Sequence, residues 1–140
     1  MTDISDQEVF DRQPGASIDR DNIHFFRGLL QRTLLINRCQ DCHNWFQPPG
    51  PMCPACWSDN VQPTEVSGRG TVHSVTFIHG GPTPPGGYPI AVIELEEQQG
   101  LRASATIIDC EKDDIRIGMP VELAWTERNG EPLPAFRPKG

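Results

Sequence analysis

The residues best equipped for chemistry are five cysteines, and four of them fall into two pairs, Cys39-Gln40-Asp41-Cys42 and Cys53-Pro54-Ala55-Cys56. Each pair leaves two residues between its sulfurs, and ten residues separate the pairs. A four-residue knuckle of this kind turns two thiolates toward one point. Two knuckles face to face complete a tetrahedron of soft ligands at metal–sulfur distances of about 2.3 Å. The spacing therefore predicts one closed structural zinc site at Cys39, Cys42, Cys53 and Cys56. Tetrahedral sulfur suits a single iron as well, so the ligand types leave zinc and iron both open. Four thiolates leave no position for water, which argues against catalysis at the metal. A redox Cys-x-x-Cys pair is the competing reading, and two such pairs this close together favour metal. The spacer (Pro48, Pro49, Gly50, Pro51) is rich in turn residues, as a hairpin tip requires.

Two positions depart from an ordinary knuckle. The residue after the second cysteine favours a left-handed backbone, which Gly meets without strain. Here His43 and Trp57 stand there. Histidine tolerates that backbone and a bulky tryptophan does not, so the second knuckle is expected to be shaped differently. His43 is not expected to ligate, because Cys42 already occupies that direction.

No catalytic set emerges elsewhere. Cys110 stands between Asp109 and Glu111, which raise its pKa and oppose nucleophilic use. His24, His73 and His79 have no Ser, Cys or carboxylate constellation around them. Glu94, Glu96 and Glu97 read as solvated charge at a strand end.

The elements that must position the cysteines follow from patterning. Asp19–Arg32 reads as a short helix, capped by Asp19 or Asp21, with Ile23, Phe26 and Leu30 on one face and Phe25 and Leu29 beside them. So wide an apolar surface must be covered, either by this chain or by a partner contacting Phe25, Phe26 and Leu29. Beyond the cysteines the period becomes two. Strands are expected at Thr71–Ile78, Pro89–Leu95, Leu101–Ile108, Val121–Thr126 and Leu133–Phe136, with a hairpin at Asn129-Gly130. The prolines of the last run place it at an edge. Charged Cys110–Gly118 suits a short helix or turn. Five strands in this length suit a small closed barrel, SH3-like or OB-type. Residues 79–89 hold eight Gly or Pro among eleven, a long strand connection with no phosphate-loop ending. Such a loop either lies exposed or orders against a ligand or partner, with Tyr88 at its end a candidate contact.

Composition agrees. The chain has 140 residues, 36% hydrophobic, with 13 Gly and 14 Pro, enough for one domain or two very small ones and poorly suited to a helical bundle. Its net charge is −7, of which residues 1–22 carry −4. An acidic chain is a poor electrostatic partner for nucleic acid. No stretch approaches the roughly 20 apolar residues of a membrane span. The acidic N-terminus lacks the basic and apolar regions of a signal peptide, so a cytoplasmic protein without disulfides is expected.

The motifs Phe25-Phe26-Arg27-Gly28-Leu29, Cys39-x-x-Cys42, Pro48-Pro49, Cys53-Pro54-x-Cys56, Ser67-Gly68-Arg69-Gly70-Thr71-Val72 and Ile115-Arg116-Ile117-Gly118-Met119-Pro120-Val121 occur in this order. Over residues 22–138 the chain resembles the zinc-ribbon and OB-fold acyl-CoA-associated family known as domain of unknown function thirty-five. It departs from the family at His43 and Trp57, where Gly or a small residue is common, and in the 79–89 loop. The resemblance implies a mostly β chain: an acidic mobile tail over 1–21, an N-terminal helix over 22–36, a rubredoxin-like zinc ribbon over 37–63, and a five-stranded OB-fold barrel over 64–140. The family's metal cysteines fall on Cys39, Cys42, Cys53 and Cys56, with one structural zinc.

The resemblance further implies a non-catalytic accessory subunit. Its partner is a thiolase-like enzyme that makes or breaks C–C bonds in acyl-CoA thioesters, in lipid, steroid or aromatic catabolism. The subunit stabilises that enzyme, as a heterotetramer, and helps form its CoA channel, with a CoA thioester at the shared interface. One alternative is a subunit of a hot-dog-fold enoyl-CoA hydratase. Another is a zinc-ribbon and OB-fold protein that binds single-stranded nucleic acid, which the acidic charge disfavours.

Overall fold

A computed structural model describes residues 4–139, so the first three residues of the expected tail lie outside the described residues. Its contacts divide the chain into two compact units. One runs to Val66 and takes in Glu127–Leu133; the other comprises Ser67–Thr126 and the segment from Pro134.

The first unit begins with helix α1 (Asp6–Arg12), where the sequence suggested only a tail. Ser5 Oγ accepts from the Glu8 amide at 3.2 Å, a cap of the kind that stabilises a helix by about 1 kcal/mol. Asp6 and Glu8 lie in the positive first turn and Arg12 in the last, each favoured by the helix dipole. A seven-residue helix is too short to persist alone. Val9 supplies what is missing: it is fully buried with Ile23 and Leu30, and Ile4, Ile18 and Phe26 pack against them. Burying one such side chain is worth roughly 1.5–3 kcal/mol.

Helix α2 (Ile23–Leu30) is shorter than the pattern Asp19–Arg32 suggested. Asp19 does not cap it. Its Oδ1 instead accepts from the amides of Asp21 and Asn22, fixing the turn that leads in, and Asn22 stands at the cap without a side-chain bond. Arg27 ties the two helices, donating to the Ile4 carbonyl at 2.8 Å and pairing with Asp6.

A three-stranded antiparallel sheet follows, ordered β2-β1-β3: β1 (Leu35–Cys39), β2 (Trp45–Phe46) and β3 (Val61–Glu65). Leu35 faces Glu65 and Cys39 faces Val61 across β1–β3, while Arg38 faces Trp45 across β1–β2. Arg38 also stacks its guanidinium 4.9 Å from the Trp45 ring centre.

Most of the second unit is a closed five-stranded barrel, ordered β4-β5-β6-β8-β7, with strands β4 (Arg69–Ile78), β5 (Tyr88–Leu95), β6 (Arg102–Ile107), β7 (Pro120–Arg128) and β8 (Glu131–Pro138), the β7–β8 hairpin end being counted with the first unit. Alternation along β5 is complete: Pro89, Ala91, Ile93 and Leu95 are buried, and Tyr88, Ile90, Val92 and Glu94 are half-exposed. Val72, Ile107, Val121 and Phe136 complete the interior. A register shift between Val72 and Ser74 bends β4, as a barrel wall requires. A short 3-10 helix (Lys112–Asp114) fills the charged segment.

One expectation fails here. β8 is not an edge, because Ala135 and Phe136 pair in parallel with Thr106 and Ile107 and close the barrel. This ladder begins after Pro134, so neither Pro132 nor Pro134 deprives it of an N–H. The Asn129-Gly130 hairpin forms as expected, both residues having positive φ (54° and 80°). The 79–87 connection is turned by bonds from the Thr83 amide to the Gly80 carbonyl and the Gly87 amide to the Pro84 carbonyl, and Lys112 Nζ donates to the Pro85 carbonyl at 2.7 Å. No helix among the described residues is long and apolar enough to cross a membrane.

Candidate metal centre

Cys39 ends β1, and Cys42 follows in the turn toward β2. The first knuckle closes with the Cys39 amide on the Asn44 carbonyl (2.9 Å) and the His43 amide on the Cys39 carbonyl (3.0 Å). The second repeats this: the Cys53 amide reaches the Ser58 carbonyl (2.9 Å) and the Trp57 amide the Cys53 carbonyl (2.8 Å). His43 and Trp57 both adopt left-handed backbone, with φ of 68° and 69°. The second knuckle is therefore not shaped differently. It takes the same turn, and the bulky residue bears the strain that glycine would avoid.

The four sulfurs lie within 4.8 Å of one another. Cys39 Sγ is 3.6 Å from Cys56 Sγ, and Cys42 Sγ is 3.6 Å from Cys53 Sγ. A tetrahedron with metal–sulfur bonds of about 2.3 Å has sulfurs about 3.8 Å apart. The cage fits one such ion, held by these four residues in a structural role. Cys39 and Cys53 are buried, Cys42 and Cys56 exposed.

Backbone amides aim at the buried pair: Cys42 N lies 3.5 Å from Cys39 Sγ and Ala55 N 3.4 Å from Cys53 Sγ. The Cys42 amide holds the Cys39 thiol below its ordinary value against desolvation. At Cys53 burial pushes upward, but the Cys56 and Ala55 amides outweigh it and bring the thiol to about 6. At Cys42 the Asn44 amide pulls down, yet desolvation with the Cys53 and Cys39 sulfurs moves the thiol up. At Cys56 the Ser58 amide is likewise overcome by the crowd of sulfurs around it. The backbone amides thus favour negative charge on the buried sulfurs of Cys39 and Cys53, and crowding disfavours it on Cys42 and Cys56. A divalent cation held by the four residues would favour all four as thiolates.

The spacing of cysteines did not reveal Asp41. Its carboxylate accepts from Ser58 Oγ at 2.5 Å and from Asn60 Nδ2 at 3.4 Å, joining the two knuckles. The Ser58 hydroxyl, then Asn60, holds it below the usual carboxylate range. His43 is not in the cage, and its carbonyl accepts from Arg38 Nε.

The other residues singled out by sequence lie apart. Leu29 is buried within this chain, Phe26 packs against the Val9 cluster, and the half-exposed Phe25 ring meets Phe26 edge-to-face at 5.4 Å. Tyr88 opens β5, half-exposed opposite Ile78. Burial, then Asp114 and Glu111, pushes the Cys110 thiol up. Glu94, Glu96 and Glu97 are more than solvated charge. Glu96 accepts from Arg69 Nε at 2.8 Å, Glu97 from the Ser67 amide at 2.6 Å, and Glu94 from the Gly100 amide.

Comparison with known proteins places this geometry. Residues 26–62 match the ChsH2 rubredoxin-like zinc ribbon domain and residues 63–126 the ChsH2 C-terminal OB-fold domain. A DUF35 domain-containing scaffold protein of Methanocaldococcus jannaschii is 34% identical over 76% of this chain and 78% of its own length. A probable enoyl-CoA hydratase alpha subunit of Thermomonospora curvata is 38% identical over 98% of this chain, which spans only 43% of that protein. Among solved structures, a chain of the Ltp2-ChsH2(DUF35) aldolase is 40% identical, with a TM-score of 0.78 over 88% of this chain and 98% of that one. A DUF35 protein from Sulfolobus solfataricus, 16% identical with a TM-score of 0.61 over 95% of this chain and 96% of its own, shares the fold. With its four-cysteine zinc ribbon followed by a closed OB-fold barrel, this chain belongs to the DUF35 family.

Proposed function

We propose that this chain is a non-catalytic accessory subunit. It binds and stabilises a thiolase-like acyl-CoA enzyme that makes or breaks a C–C bond, and it helps form the channel for the CoA thioester. The observation that carries this reading is the likeness to a chain of the Ltp2-ChsH2(DUF35) aldolase, which this sequence spans almost completely. The name of the archaeal relatives, scaffold proteins, supports the same division of labour. The partner supplies the catalytic groups, and the metal cage keeps the ribbon folded. Two copies of this chain flank an enzyme dimer. Phe25 and Phe26 on the first unit, and Tyr88 on the second, are the contacts we assign to it, with Leu29 holding α2 from beneath.

A second reading is a subunit of an enoyl-CoA hydratase of the hot-dog fold. The Thermomonospora relative favours it, since that protein carries the match within a longer chain. Co-expression with neighbouring thiolase-like and hydratase-like genes, followed by size exclusion and activity assays, separates the two. A co-eluting thiolase-like enzyme that is inactive or insoluble alone supports the first reading. Co-elution with the hydratase alone supports the second. Elution of this chain by itself, with both enzymes fully active, overturns both.

A further inference from the structure

We propose that the second zinc knuckle, through Met52 and Trp57, docks this chain into an apolar pocket of its acyl-CoA enzyme rimmed by Lys or Arg. The inference rests on the accessory-subunit reading and adds the surface and its chemistry. Trp57 is 76% exposed and Met52 44% exposed, one on each side of the Cys53–Cys56 turn. Pro51, Pro54 and Ala55 between and beside them are exposed too. Apolar side chains thus flank the turn that carries Cys53 and Cys56, and among the described residues of this unit only Phe10 is another large apolar side chain so exposed.

Two independent observations go beyond exposure. The first is backbone strain. Trp57 sits at φ 69°, where a large side chain is disfavoured and glycine fits freely. The ring contributes little packing within the chain to offset that cost. Tryptophan is also the side chain most enriched at the energetic centre of protein interfaces.

The second is charge. From Cys39 to Gly68 the sequence holds Asp41, Asp59 and Glu65 and no Lys or Arg. Asp41 is fixed beside the knuckle by Ser58 and Asn60, and Asp59 is exposed two residues after Trp57. The charges fixed next to Trp57 are therefore carboxylates, while the cation of the ribbon, Arg38, lies on the first knuckle, where its Nε donates to the His43 carbonyl. A complementary surface presents a hydrophobic pocket with cationic edges, so that apolar burial supplies affinity and charge supplies orientation. A phosphate backbone would be repelled by the same edge. A second copy placed face to face would set Asp41 and Asp59 against their own equivalents.

The test uses the purified enzyme that co-elutes with this chain. Trp57→Gly removes the ring and relieves the backbone together, so folding and binding move apart. It should retain one zinc and a thermal midpoint at or above that of the parent, while binding the enzyme about thirtyfold more weakly, the loss expected for a tryptophan at an interface centre. Met52→Lys should weaken binding as well. Asp59→Lys should weaken it at low salt and flatten its salt dependence. Binding of Trp57→Gly within about twofold of the parent overturns the inference and leaves the accessory-subunit reading intact. Failure of the parent chain to bind any such enzyme overturns both. Sedimentation showing a dimer of this chain that Trp57→Gly dissociates assigns the surface to a second copy and overturns the enzyme as occupant.

Discussion

The carboxylate of Asp41, between the two sulfurs of the first knuckle, accepts a 2.5 Å hydrogen bond from the hydroxyl of Ser58, just beyond the second. The two halves of the cage are thus latched by side chains as well as by a metal. Asp41→Ala should let zinc pass to a chelator about tenfold faster at neutral pH, in line with the effect of removing groups that orient ligands. Ser58→Ala should do the same more weakly, since Asn60 remains. Release measured with a colorimetric zinc indicator, unchanged in both variants, would refute the latch.

The cage itself should hold one zinc per chain. Cys53→Ala removes a buried ligand and should abolish stoichiometric metal by elemental analysis, together with protection of β1 and β3 amides in hydrogen exchange. The barrel strands of the second compact unit, β4, β5 and β6, should keep their own protection.

A pH dependence follows from Arg12 and Glu131. Arg12 donates to both Glu131 oxygens, at 2.8 and 2.7 Å, and holds that carboxyl below the usual range. A depressed carboxyl contributes stability that is complete above its unfolded value, about 4.3, and is lost as pH falls through the folded value. Exchange protection of α1 should therefore be flat from pH 8 to about 5 and decline below that. Glu8, which also pairs with Arg12, keeps part of the contact in Glu131→Gln. That variant should lose most of the acid-side decline.

Gly70 marks a close approach of strands. A Cβ there would stand 2.4 Å from the Glu94 carbonyl oxygen and 2.8 Å from Ile93 Cγ2. Gly70→Ala should destabilise the barrel by about 1–3 kcal/mol or more, read from urea unfolding, without loss of zinc. A change below about 0.5 kcal/mol, ordinary for surface positions, would show that β4 and β5 can move apart.

Single-stranded DNA should bind weakly. The 64–140 segment has seven Lys or Arg against eleven acids, and the ribbon no cation after Arg38. Tight binding near 0.15 M salt in a fluorescence titration would contradict this.

What the sequence made legible was local. Two Cys-x-x-Cys pairs name their own geometry, β-rich runs between turn residues marked all five barrel strands, and Asn129-Gly130 announced its hairpin. Helix α1 was obscured because only Val9 and Phe10 are apolar within it. Its signal lay in Ser5 with Glu8 three residues on, a capping pattern that hydrophobic periodicity ignores. The Asp41–Ser58 contact joins residues seventeen apart, and no pattern links them before the knuckles fold. Trp57 was misjudged for a different reason: backbone preference is a tendency, and the metal cage overrides it. The prolines of β8 pointed to an edge because sequence does not say where along a strand its ladder begins.

That late-starting ladder has a consequence for how the barrel folds. Ala135 and Phe136, paired with Thr106 and Ile107, seal the seam between β6 and β8, and the Ile108 amide adds a bond to the Phe136 carbonyl. Until they pair, the barrel carries an open strand edge able to recruit other chains. Closure spans about thirty residues of sequence, a separation that slows folding compared with hairpin pairing. Until that pairing forms, the folding barrel has its strands and not its closure.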